Sequence, residues 1–168
     1  MEETPVDILP LNAAFALSKG RPVRYKGNLV YSAFNVDVLP TTRLRIDILK
    51  SRRPPEQVLQ LIGDGCLLCI GQQSAKKGKV WISEWKKPIE ITFKDVKSSA
   101  KLYVTNGTSD EIGQPINSWG NYGILIEVIR EDQEWILRCC QGMMPSLPDF
   151  NMLVLNVFKS EVARLPIG

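Results

Sequence analysis

The sequence predicts an α+β fold, predominantly antiparallel β sheet or sandwich with one or two short helices packed on it. Most of the chain alternates apolar and polar residues with a period of two, the mark of half-buried strands. Helix signals are confined to two short stretches. The chain of 168 residues, 44% hydrophobic and 23% charged, is an ordinary globular mixture, enough for one core. The expected division is an N-terminal segment over 1–21, partly extended or a short helix, followed by a single β-rich domain over 22–168.

Taken in order, "LNAAFALSKG" (11–20) reads as two helical turns, with Asn12 as cap and Gly20 past the end. "PVRYKGNLVYSAFNVDV" (22–38) reads as a short strand, a turn at Lys26-Gly27-Asn28 and a longer strand. "RLRIDILK" (43–50) points Leu44, Ile46 and Ile48 one way and Arg43, Arg45 and Asp47 the other. "PPEQVLQLIGDG" (54–65) predicts the better helix. Pro55 suits its first turn, Glu56 favours the positive N-terminus, Val58, Leu61 and Ile62 share a face, and Gly63 ends it.

Strands follow at "CLLCIG" (66–71), "KVWISEW" (79–85), "PIEITFKDV" (88–96) and "AKLYVTNG" (100–107). In "PIEITFKDV", Ile89, Ile91 and Phe93 face inward. "YGILIEVIREDQEWILRCC" (122–140) is a hairpin with its tip at Glu131–Gln133 and Trp135 anchoring the return strand. The tail, 150–165, fits either a strand or a strand running into a helix. Two connections stay long, 106–121 and 141–150, and loops of that length tend to be functional or mobile.

Absences narrow the chemistry. The chain has no histidine, which removes Ser-His and Cys-His nucleophile pairs, histidine-ligated metals and imidazole acid–base work. No pair of carboxylates stands out to replace them. No enzyme activity, cofactor or small-molecule substrate is expected. The net charge of +3 is mild, so binding to nucleic acid or a membrane surface would need the cations gathered on one face. The acidic, proline-interrupted start does not resemble a signal peptide, and no apolar run approaches the ~20 residues of a membrane span. The expected setting is the cytosol with four reduced cysteines. Asn106-Gly107-Thr108 then reads as a turn rather than a glycosylation site.

Cys66 and Cys69 form a CxxC, and Cys139 and Cys140 are adjacent. Zinc would want spaced pairs on turns. The first pair sits in an apolar run, and neighbours on a strand face opposite sides, so small buried hydrophobes are the reading. The basic residues Arg52, Arg53, Lys76, Lys77, Lys79, Lys86 and Lys87 are either solvated loop charge or a contact for an anionic surface. The two lysine groups flank a strand over 80–85, about 20 Å apart by strand rise. At about 1 kcal/mol per basic residue, one cluster supplies roughly 4–5 kcal/mol, or about millimolar binding. Such a contact matters only when copies are arrayed. Met143 and Met144 offer either an adaptable partner contact or a cover for the core. Trp81 and Trp85 fall on one strand face and read as core packing rather than base stacking.

The order of these pieces resembles the core of rhabdovirus matrix proteins. In this chain they are "LRIDILKSRRP", "PEQVLQLI" as a short helix, "CLLCIG", "KVWISEW", "PIEITFKDV" and the hairpin from Tyr122-Gly123. The resemblance implies a structural protein of an enveloped negative-strand RNA virus. It would self-associate, condense the helical ribonucleoprotein and link it to the inner face of the viral membrane. It also implies virion, host-cytoplasm and inner-membrane locations, and a part in budding and in lowering viral RNA synthesis. The cluster at 52–53 and 76–87 would face anionic lipid or the nucleocapsid. The apolar piece 8–17, with Leu9, Leu11, Phe15 and Leu17, would be a subunit-docking arm, with Met143 and Met144 as further self-association contacts.

The chain departs from the animal-virus members. Its start, Met1 to Asp7, is acidic rather than lysine-rich, and Pro54-Pro55 is followed by Glu56-Gln57 instead of a PPxY motif. A compact member of the plant-infecting branch fits better. The rival expectations are a cytosolic β-sandwich module that binds one protein partner through the loops 106–121 and 141–150, and a weak module for single-stranded nucleic acid.

Overall fold

The computed structural model describes residues 11–19, 21–25, 27–51, 57–84, 87–109, 115–116, 123–140 and 150–161. Among these, 67% lie in strands, joined by one short helix and a 3-10 turn. The helix α1 spans Leu11–Leu17 and starts one residue before the cap read at Asn12. The strands are β1 (Val23–Tyr25), β2 (Asn28–Val30), β3 (Phe34–Asp37), β4 (Thr42–Ser51), β5 (Gln57–Asp64), β6 (Leu67–Ile70) and β7 (Gln73–Ala75). They continue as β8 (Lys77–Trp81), β9 (Ile89–Lys94), β10 (Lys101–Ser109), β11 (Pro115–Ile116), β12 (Gly123–Arg130), β13 (Glu134–Cys140) and β14 (Leu153–Glu161).

Two antiparallel sheets share one core. The longer runs β12-β13-β14-β4-β9-β6-β7, and the shorter runs β11-β10-β5-β8, with β3 also on β10. Period-two alternation sets the inward faces. β9 is buried at Ile89, Ile91 and Phe93 and exposed between them. β4 turns Leu44 and Ile46 inward against Arg43 and Arg45. Leu44, Ile46, Ile91, Leu137 and Leu155 of the longer sheet join Leu59, Leu61, Leu102 and Val104 of the shorter in a single buried cluster. Each such side chain contributes about 1.5–3 kcal/mol by leaving water.

In place of the helix expected after Pro55, the described residues from Gln57 to Asp64 form a strand. β5 pairs β10 from Gln57 to Asp64 and β8 from Val58 to Ile62, so it lies inside a sheet. The apolar run Val58-Leu59-Gln60-Leu61-Ile62 satisfies either period, and ladders on both sides outweigh the local proline and glutamate signals. Asn106-Gly107-Thr108 is likewise no turn, since β10 runs through it, with Gly107 opposite Val58. The strand expected at 79–85 lies at 77–81 and passes into a 3-10 turn at Ile82–Glu84. Trp81 ends that strand, and Trp85 lies outside the described residues.

In the tail, Leu153–Glu161 is a strand, β14, paired with both β13 and β4, and residues 162–165 lie outside the described residues. The hairpin tip falls at Glu131–Gln133, where Asp132 takes a left-handed φ of 57°. Trp135 lies edge-on to Phe34, ring centroids 5.1 Å apart. The loops 106–121 and 141–150 fall largely outside the described residues. Among the described residues, no helix is long and apolar enough to cross a membrane.

A second, smaller cluster holds the N-terminal elements. Ala14 and Phe15 of α1, Val23 and Tyr25 of β1 and Val30 of β2 gather around Cys140 and Leu125. Cys139, one residue earlier, belongs to the main core. Strand alternation thus makes two adjacent thiols serve two different cores.

Candidate functional site

β7 and β8 are consecutive but belong to different sheets, so the chain crosses between layers at Lys76. There the Gly63 N–H donates to the Lys76 carbonyl at 2.8 Å. β8 pairs with β5 and, among the described residues, with nothing on its other side. Its register places Lys77 opposite Ile62 and Lys79 opposite Gln60, which turns both lysines to the outer face. Gly78 and Val80 face the core, opposite Leu61 and Leu59.

Lys76, Lys77 and Lys79 are exposed, and none forms an ion pair with a described residue. The next cation on this face, Lys101, is held 3.5 Å from Asp37. On this face the unpaired charge of the described residues therefore lies on the crossing and β8. Lysines on an edge strand also discourage unwanted pairing, the solvated-charge reading in specific form.

A groove of about 630 Å³ opens beside these lysines. Leu61, Ile62, Leu68 and Ile70 supply its apolar lining, while Lys77 and Lys79 stand at its rim. It lies between β8 and the β6–β7 hairpin.

The structure brings together only part of the expected cluster. Lys87 is exposed but stands in the connection leading into β9, in the other sheet. Arg52, Arg53 and Lys86 lie outside the described residues. β4 and β5 belong to different sheets, and residues 52–56 between them lie outside the described residues. Of the residues assigned to self-association, Phe15 packs within its own chain, Leu17 is 68% exposed, and Leu11 opens α1. Leu9, Met143 and Met144 lie outside the described residues.

The cysteines are all free thiols. Burial pushes Cys139 up to about 12. Burial, then the Asp64 carboxylate, raises Cys66. Cys69 is half-buried, its Sγ 3.5 Å from Ser74 Oγ. Among the described residues no three cysteines or carboxylates form a metal-holding group.

One surface escaped the sequence reading. β12 ends the longer sheet, and beyond the Tyr31–Ile124 bridge nothing described pairs its outer side. Val128 is 50% and Ile129 46% exposed there. Ile129 sits at a register shift, unpaired with β13. The signal was present in "GILIEVIR", where apolar residues fill both parities although one face of a hairpin needs only alternate ones.

No family model matches the chain, and no curated protein matches it significantly. Among the pieces that carry the resemblance to rhabdovirus matrix proteins, "PEQVLQLI" is, from Gln57 on, a strand instead of a helix.

Proposed function

We propose that this chain is a non-enzymatic structural protein of the viral matrix type. Its copies associate, and their pooled positive charge holds the viral nucleocapsid and an anionic membrane surface. One observation carries the reading: among the described residues, two strands that end their sheets have no partner along most of their outer side, and they differ in character. The β12 edge presents Val128 and Ile129, and the β8 edge presents Lys77 and Lys79 beside Lys76.

The β12 edge suits a second copy of itself. In a two-fold antiparallel arrangement, Glu127 meets the other copy's Arg130 while Val128 meets its Ile129. That pattern is self-complementary in charge and apolar contact. The β8 edge suits an anion. Three lysines give roughly 3 kcal/mol near an anionic surface, weaker than millimolar for one copy. Lateral association multiplies such contacts into firm attachment.

Light scattering of the purified chain against concentration tests this. Growth of assemblies with concentration is expected, and a strict monomer at high concentration would overturn it.

A further inference from the structure

The groove beside β8 has an apolar lining, a cationic rim and a strand edge in one place. We infer that it binds an extended acidic segment of another protein, which adds as a strand alongside β8. The site shares its lysines with the anionic contact proposed above and names a polypeptide partner for them. It does not depend on self-association.

Three features of the geometry converge. First, β8 runs for five residues with, among the described residues, one side paired, and an open edge offers backbone donors and acceptors that only another backbone satisfies in register. Second, the lysines at positions 77 and 79 project on the same face, so an added strand would carry its own alternate side chains directly across from them. Carboxylates there are attracted, whereas a second copy of this edge would set lysine against lysine. Third, the intervening side chains of the added strand would point toward the groove, over Leu68 and Ile70. Gly78 leaves that path open. A Cβ placed on it meets only the Ile70 Cδ1 atom, at 3.9 Å. The ligand is thus an extended run alternating acidic and apolar residues, and the groove volume lies within the ordinary range for binding sites, roughly 300–1,000 Å³.

The test is fluorescence anisotropy with a labelled seven-residue peptide alternating glutamate and valine. The control has the same composition with its glutamates blocked at one end. The full chain should bind the alternating peptide at least tenfold tighter than the control. K77E/K79E should weaken binding at least tenfold. Gly78→Leu, which fills the groove without changing charge, should weaken it comparably, with thermal melts verifying that both variants fold. Equal affinity for the two peptides would overturn the inference, as would an unchanged Gly78→Leu. Phosphatidylserine vesicles that bind while neither peptide does would assign the lysines to lipid instead. Binding is measured on dilute protein and again on V128K/I129K, so a failure of self-association leaves the peptide result standing.

Discussion

The side-chain amide of Asn106 donates to the main-chain carbonyl of Cys140 at 2.9 Å, with Asn106 only 3% exposed. This bond ties β10 of the shorter sheet to the end of β13 in the longer one, beside the cluster that seats the N-terminal helix. Asn106→Ala leaves a buried carbonyl without this partner. A loss of about 1–3 kcal/mol is expected from urea unfolding.

Gly63 and Gly78 are predicted to behave oppositely on substitution by alanine. A Cβ at Gly63 would stand 2.6 Å from the Cys66 carbonyl oxygen, a backbone atom that cannot swing aside. At Gly78 the space is open. Gly63→Ala should lower the melting temperature by several degrees or prevent folding, at a cost of about 1–3 kcal/mol from overpacking. Gly78→Ala should melt within a degree or two of the parent.

Alkaline pH should destabilise the fold through Cys139. Its thiol is pushed up to about 12 in the folded chain, against an ordinary value of 9.0. Between those values the unfolded chain has lost a proton that the folded chain keeps. Stability from this group is therefore complete below pH 9 and falls as pH rises toward 12, by about 1.4 kcal/mol per unit. Urea midpoints from pH 8 to 10.5 should decline more steeply for the parent than for Cys139→Ala. At neutral pH a thiol reagent should modify half-buried Cys69 first and reach Cys139 only on unfolding.

The open end of β12 should govern association without governing stability. Val128 and Ile129 are about half exposed, so V128K/I129K should change the unfolding free energy by about 0.5 kcal/mol or less. Light scattering should nevertheless show that assembly is lost. Assembly that persists would move the contact elsewhere.

The legibility of the fold followed how local each signal was. Strands with a polar side, such as Ile89–Lys94, announce themselves because one face meets water. β5 does not, because Val58 and Ile62 put apolar residues on the face opposite Leu59 and Leu61, so its run of valine, leucines and isoleucine carries no single period. Proline and glutamate then tipped the reading to a helix. Asn106 was misread for a related reason. Asn-Gly favours turns locally, and only the distant Cys140 carbonyl explains why it lies in a strand. The lysines at 76, 77 and 79 were visible in sequence, but their place at an open edge beside a groove depends on a crossing between sheets that no spacing encodes. Cys139 and Cys140 were read as facing opposite sides, and they do.

The most direct test of the central claim is co-sedimentation with phosphatidylserine vesicles across a range of protein concentrations, comparing the parent with K76E/K77E/K79E and with V128K/I129K. The account predicts a steep, cooperative rise in bound parent protein that weakens with salt. The lysine variant should bind little at any concentration, and the β12 variant should bind weakly and without cooperativity. Tight, non-cooperative binding by single copies, or binding indifferent to the three lysines, would contradict it.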